Sequence, residues 1–186
     1  MSGMGAEVYS CAADKEQARI VFGVARQMVE NNPDLGELIS VYRDALEVPS
    51  TGSVYKVVSS EAFTKEGLNP SLVLYDELHA APTDELYNVM SLAMGARRNP
   101  LLVAITTAGV KSDRSGGDST CYRLFQYGEK IASGEVLDDS FFMAWWGAGD
   151  DQDHRDPAVW EEANPGYDDL IDPEDLSSNV GRISEN

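Results

Sequence analysis

The spacing of apolar and polar positions changes period repeatedly along the chain, and each change predicts an element. Glu7 to Ala12 reads as a short strand, and Asp14 then suits a helix N-cap. Behind it Ala18, Val21, Phe22, Ala25, Met28 and Val29 recur at helical spacing, until Asn31-Asn32-Pro33 closes the helix. Val41 to Val48 and Val54 to Val58 are β-rich and flank the turn residues Pro49-Ser50-Thr51-Gly52, so they predict a hairpin. Ser71 to Tyr75 follows the breaker Asn69-Pro70 without polar alternation at its centre, as a buried parallel strand would. Thr83 is placed to cap a helix with Leu86, Val89, Met90, Ala93 and Met94 on one face, ended by Arg97-Arg98 and Asn99-Pro100. Leu101 to Ile105 predicts a second buried strand, and Ser112 to Asp118 a polar, Gly-rich loop. Cys121, Leu124, Phe125, Ile131 and Ala132 mark a helix stopped by Gly134, and Phe141 to Trp146 is a third strand-like run. Short helices are expected over Pro157 to Ala163 and Pro173 to Val180. Buried strands alternating with amphipathic helices indicate an α/β sheet, whose chemistry gathers at the C-terminal strand tips.

Composition narrows this picture little, but charge divides it. The 186 residues suit one domain, and no apolar run approaches the roughly 20 residues of a membrane span. The N-terminus lacks the basic patch and apolar stretch of a secretion signal. Cys11 and Cys121 form neither a disulfide framework nor a zinc spacing and read as small buried hydrophobes in a reducing compartment. The net charge of −18 is concentrated in residues 129–186, where 16 acidic side chains face 3 basic ones. A chain this acidic repels phosphate backbones and is expected to bind DNA poorly by itself. The default for the acidic stretch is a solvated surface.

Two strand tips carry candidate chemistry. In Leu72 to Ala80 (LVLYDELHA) an aliphatic strand delivers Asp76 and Glu77 in succession to the sheet edge. Nucleotide hydrolysis needs such a pair: one carboxylate associated with magnesium through its water shell, the other within reach of the attacking water. Adjacent strand residues point to opposite sides, so the two can serve separate roles. The second tip, Leu101 to Gly109 (LLVAITTAG), places Thr106 and Thr107 where a neighbouring strand would meet a γ-phosphate, with Gly109 permitting a sharp exit. Each tip alone also fits ordinary strand ends; the ordered pair on strands separated by one helix is an ATPase pattern.

The combination resembles the ATPase domain of the large terminase subunit of tailed bacteriophages, the motor that packages DNA into proheads. The resemblance runs through AEVYSCAADKEQARIVF (6–22), KEGLNPSLVLYDELHAAPTDELY (65–87), GARRNPLLVAITTAG (95–109), DDSFFMAWW (138–146) and PAVWEEANPG (157–166). It implies a P-loop NTPase-like fold of the RecA/ASCE type, a mainly parallel sheet sandwiched by helices. It implies Asp76 as the magnesium-associated acid of a Walker B motif, Glu77 as the catalytic carboxylate, and Thr106, Thr107, Ala108 and Gly109 as the coupling motif that senses the γ-phosphate. Mg2+ and ATP are the implied cofactor and substrate. The implied partners are double-stranded DNA engaged by the complete motor, the small terminase subunit, the portal protein and further copies in a ring, in the host cytoplasm and with no membrane.

The departures are equally informative. No Gly-rich sequence ending in Lys-Ser or Lys-Thr occurs, so the Walker A loop that would lie upstream is missing, and the P-loop strand with it. Without that inner strand Leu101–Thr106 is expected to end as an exposed sheet edge, still paired with Ser71–Tyr75 on its other side and separated from Phe141–Trp146. The RNase-H-like nuclease domain would begin beyond the C-terminus. The expected organisation is a partial ATPase domain over residues 1–146 and an acidic extension over 147–186 leading toward that nuclease domain, in a truncated or split product or an expressed fragment. The rival readings are a fragment of a D-E-x-H helicase or translocase, and a non-catalytic ATPase remnant serving as an assembly module. Arg97 and Arg98 are candidates for a trans-acting arginine finger, though arginines in a last helical turn ordinarily answer the helix dipole. His79 echoes the D-E-x-H box but reads as a polar loop histidine, His154 has no metal-partner spacing, and Trp145, Trp146 and Trp160 read as core or lid packing.

Overall fold

The structure, a computed structural model, describes residues 5–60, 67–112, 116–149 and 151–184. Six strands, β1 (Glu7–Ala12), β2 (Ser40–Val41), β3 (Ala45–Val48), β4 (Ser53–Ser59), β5 (Leu72–Asp76) and β6 (Leu101–Ile105), form one sheet in the order β2-β3-β4-β1-β5-β6. The pairs β4–β1, β1–β5 and β5–β6 are parallel; β2–β3 and β3–β4 are antiparallel. The predicted hairpin is β3–β4. The β-rich run before it is two strands rather than one, because the chain reverses at Tyr42–Asp44, where the Tyr42 N–H donates to the Ala45 carbonyl at 2.8 Å.

Register assigns the faces. Tyr9 and Cys11 stand opposite Val73 and Tyr75, and all four are buried with Leu78 and with Leu86 and Met90 of α3 (Glu85–Ala93). The other face receives α1 (Lys15–Glu30), whose Phe22 and Val29 are buried with Leu46 and pack on Tyr55 and Val57. Phe22 meets Tyr55 edge-on, with ring centroids 5.3 Å apart. Asp14 caps α1 as expected, its Oδ1 accepting from the Gln17 N–H at 2.9 Å. Met28 departs from the predicted face: with Ile20 and Val24 it forms a second apolar row turned to solvent.

Asn31 ends α1, but Pro33 does not act as a stop. Asn32 caps a second helix, α2 (Pro33–Leu38), with Pro33 at its first position, where the missing N–H costs nothing. Helix α3 begins at Glu85, with Thr83 Oγ1 accepting from the Glu85 N–H at 3.4 Å. Helix α4 (Thr120–Ala132) follows the loop 112–118, of which residues 113–115 lie outside the described residues, and Gly134 (φ 77°) breaks the chain after it.

The strand Leu101–Ile105 forms parallel to β5 and, as expected where the P-loop strand is lacking, is exposed rather than buried. It is the edge of the sheet, with Leu101 57% and Ile105 62% exposed. Leu102 and Leu124 of α4 join the core on the α3 side, whereas Leu101 and Ile105 share the face on which α1 covers the sheet farther in.

The chain divides into two compact units, Met1–Glu135 and Val136–Asn186. Within the second, α5 (Pro157–Ala163) and α6 (Pro173–Ser184) form as expected, α6 running four residues farther than predicted. The expected strand Phe141–Trp146 is absent: the run carries no regular structure and joins no ladder, and apolar composition alone cannot supply one. Nor do its tryptophans form a core, since Trp145 and Trp146 are about half exposed. Trp160 is more enclosed, donating from Nε1 to the His154 carbonyl at 2.6 Å.

A candidate active site at the strand tips

Parallel pairing of β1, β5 and β6 brings three C-terminal tips to one end of the sheet, and the structure gathers there what the sequence marks. Asp76 is the last residue of β5, paired with Ile105 in register, which turns its carboxylate toward the α1 face. There Gln17 Nε2 donates to Asp76 Oδ2 at 2.8 Å. Gln17 is a site residue that sequence reasoning missed, because its local pattern points elsewhere. Asp14-x-x-Gln17 reads as a capping box, in which the glutamine would reach back to the cap. The structure directs Gln17 across to the carboxylate instead.

Glu77 leaves the strand in the left-handed region, φ 50° and ψ 53°. This single reversal turns its side chain away from the ladder and starts the short 3-10 turn Leu78–Ala80, anchored by buried Leu78. The half-buried side chain puts Oε2 out of reach of solvent with no hydrogen-bond donor in line. His79 Nδ1 stands 3.0 Å away, out of line for a hydrogen bond, so the contact is one of charge and proximity.

His79 also reaches the second tip. Its backbone N–H donates to Thr106 Oγ1 at 3.0 Å, and its Nδ1 lies 3.1 Å from Thr106 Oγ1 and 3.4 Å from Thr107 Oγ1. Thr106 Oγ1 donates to the Thr107 carbonyl at 3.0 Å. Gly109 returns over the histidine so closely that a Cβ there would sit 2.6 Å from His79 Cβ. The glycine is required by this approach. Thr106, Thr107, Ala108 and Gly109 are exposed apart from these contacts. His79, which reads in the sequence as a loop residue, is the physical link between the two motifs.

The remaining candidates stand elsewhere. Arg97 follows a 3-10 turn rather than ending α3. Its guanidinium donates to the Asn69 and Gly5 carbonyls at 2.8 and 3.0 Å and lies 3.6 Å from Glu7. These groups are at the N-terminal ends of β1 and β5, so Arg97 ties strand starts together through Nε and Nη2. Arg98 is exposed. Beside Arg97 the Tyr9 hydroxyl donates to Glu7 Oε2 at 2.6 Å; burial first, and then Glu7, raise its pKa above the ordinary tyrosine range. Cys11 is fully buried, which pushes its thiol up to about 12 and leaves it inert, while Cys121 is only partly enclosed.

Among the described residues no group of three or more His, Cys, Asp or Glu could cage a metal. Asp76 supplies a carboxylate at the tip, and Gln17 engages one of its two oxygens. That donor set fits magnesium, which keeps most of its water shell and is commonly held through one or two carboxylates.

The chain is similar to known proteins. The family model for the terminase large subunit, ATPase domain, matches residues 3–130. Protein YmfN of Escherichia coli strain K12 is 35% identical over 121 residues, 65% of this chain and 26% of that protein. The terminase large subunit of Enterobacteria phage HK97 is 36% identical over 106 residues, 54% of this chain and 21% of that protein. The crystal structure of the HK97 bacteriophage large terminase superposes with a TM-score of 0.79 at 27% identity, covering 97% of this chain and 36% of that one. The chain thus spans about a quarter of the length of the curated relatives it matches.

Proposed function

The chain belongs to the family of terminase large subunit ATPase domains, and from that premise we propose that it forms the hydrolytic half of a nucleotide site in a phage DNA-packaging motor. One observation carries the reading. Glu77 is thrown off its strand in a left-handed conformation, its Oε2 held without a donor, beside the threonines of the neighbouring tip. The side chain is still about a third exposed, so the carboxylate can meet an attacking water on its open side while the enclosed Oε2 keeps an unfilled acceptor facing the neighbouring tip.

In this reading Glu77 orients that water and Asp76 meets Mg2+ through its hydration shell, with Gln17 fixing the carboxylate's direction. Bound magnesium neutralises charge on the phosphates of ATP. Thr106 to Gly109 register whether a γ-phosphate is present. The open side of β6, with Leu101 and Ile105 exposed, is where the P-loop strand of the complete protein pairs. Double-stranded DNA, the small subunit, the portal and further copies of the large subunit are partners of that complete motor, which works in the host cytoplasm. No comparison favours the helicase reading.

The test is nucleotide binding and turnover in the full-length large subunit carrying this sequence. Glu77→Gln removes hydrolysis and leaves ATP binding within about threefold; Asp76→Ala also weakens magnesium-dependent binding. Equal loss of binding in both variants contradicts the division of roles, and undiminished turnover in Glu77→Gln removes the reading altogether.

A further inference from the structure

His79 has one nitrogen facing three oxygens. Nδ1 lies 3.0 Å from Glu77 Oε2, 3.1 Å from Thr106 Oγ1 and 3.4 Å from Thr107 Oγ1. Its protonation follows from the neighbours. Thr106 Oγ1 has one proton, and it is given to the Thr107 carbonyl. Toward the imidazole this hydroxyl then accepts, which places hydrogen on Nδ1 and leaves Thr107 Oγ1, at 3.4 Å, to direct its own proton elsewhere. Glu77 agrees, since a carboxylate oxygen at 3.0 Å from a bare ring lone pair would be repelled. One N–H then stands between two acceptors on different strand tips. It points at Thr106 here, and a small rotation would give it to Glu77, whose Oε2 lacks a donor.

We propose that His79 is a positioning residue that shares its Nδ1 proton between Glu77 and Thr106, so that the stance of the carboxylate sets the stance of the Thr106–Gly109 loop. A second observation stands apart from the ring. The His79 N–H donates to Thr106 Oγ1, and Gly109 packs on His79 Cβ with no room for a side chain. The loop is thus fastened to this residue by backbone and by shape, and only the ring contact is free to switch. While Glu77 engages a water on its open side, the Nδ1 proton stays on Thr106. When that water is consumed, Oε2 draws the Nδ1 proton, and Thr106 loses the ring contact while keeping the backbone one. No bond beyond hydrogen bonds forms or breaks, and no proton leaves the imidazole.

The role rests on the nucleotide-site reading, and its test separates the two. The first measurement needs no activity. The chain has two histidines, so nitrogen-15 imidazole spectra of this protein and its His79→Asn variant assign His79 directly. At a pH where the ring is neutral, His79 is expected in the Nδ1–H tautomer. Glu77→Gln and Thr106→Val should each shift it toward Nε2–H; a wild-type ring already in the Nε2–H form overturns the proposal.

The second measurement is steady-state ATP turnover in the full-length large subunit. Asparagine keeps an N–H near the Nδ1 position, glutamine moves it one bond outward and leucine removes it. His79→Asn should keep kcat within about threefold of wild type. His79→Gln and His79→Leu should lose tenfold or more in kcat with KM changed less than twofold. A residue acting only by packing would rank the larger side chains above asparagine, and that ranking overturns the proposal. Glu77→Gln in the same assay reports on the nucleotide reading alone: if it turns over ATP normally, that reading falls, and the tautomer measurement still decides the contact.

Discussion

At the scale of single residues, Glu77 sets two requirements against each other. Its left-handed backbone costs an L-residue about 1–2 kcal/mol, and its enclosed Oε2 adds an unanswered acceptor. Asparagine adopts that conformation more readily. Glu77→Asn is therefore expected to raise the unfolding free energy of this chain by about 1 kcal/mol, read from the urea midpoint at unchanged slope, while hydrolysis in the complete motor is lost. A variant no more stable than wild type would mean the conformation is relaxed. Asp44 illustrates a charge that does contribute. Arg19 and Lys15 of α1 donate to it at 2.8 and 2.9 Å, and these hydrogen bonds lower its pKa to about 2. A carboxyl whose folded pKa is depressed stabilises the fold above its unfolded value, about 3.9, and loses that contribution as pH falls through the folded one. Asp44→Asn should thus be less stable than wild type at pH 6, and the difference should vanish as pH is lowered from about 4 to about 2. Asp76, Glu77 and Thr106 were legible because strand tips can be found from apolar periodicity. Gln17 and His79 were not, since the meaning of each lies in a contact across the sheet, to residues 59 and 27 positions away.

At the scale of elements, periodicity succeeded where one face is covered and failed where an element depends on a neighbour. Helices α1, α3 and α4 and strands β1, β4 and β5 follow their patterns because a packed face enforces the period. Strand β6 is wholly apolar yet stands at the edge; its composition alone reads as buried, and only the lack of the P-loop strand predicts the open side. The run Phe141–Trp146 makes the same point more strongly, being apolar and β-prone but unladdered. Helix α2 was hidden because a proline can open a helix as well as close one. An open, apolar, five-residue edge invites pairing between molecules. Replacing exposed Leu101, at the end of β6 remote from the site, with lysine should reduce concentration-dependent self-association in sedimentation velocity without altering the circular dichroism. Unchanged association in Leu101→Lys would place the contact elsewhere.

At the scale of the whole molecule, charge and fluorescence divide along the same line. Residues 136–186 hold 14 acidic and 2 basic side chains, a net of −12 from the chain's −18, and all three tryptophans. Tryptophan emission therefore follows the second unit, whereas far-ultraviolet circular dichroism follows both. Raising ionic strength from about 0.01 to 0.15 M shortens the Debye length from about 30 to 8 Å and screens the self-repulsion of the acidic unit. The thermal midpoint by tryptophan emission should rise with salt more than the midpoint by circular dichroism; equal shifts would mean that the charge is already balanced locally. The sheet has an asymmetry of its own. At one border β2 is two residues long and closed off by antiparallel hairpins, while at the other β6 offers a full strand. A chain that can be joined at both borders polymerises; one with a single receptive border has a valence of one. Two such chains meeting border to border about a two-fold axis exhaust each other's capacity. Where β6 stays unpaired, self-association of this chain through its sheet would end at the dimer, whereas a fold open on both sides would continue into a fibril.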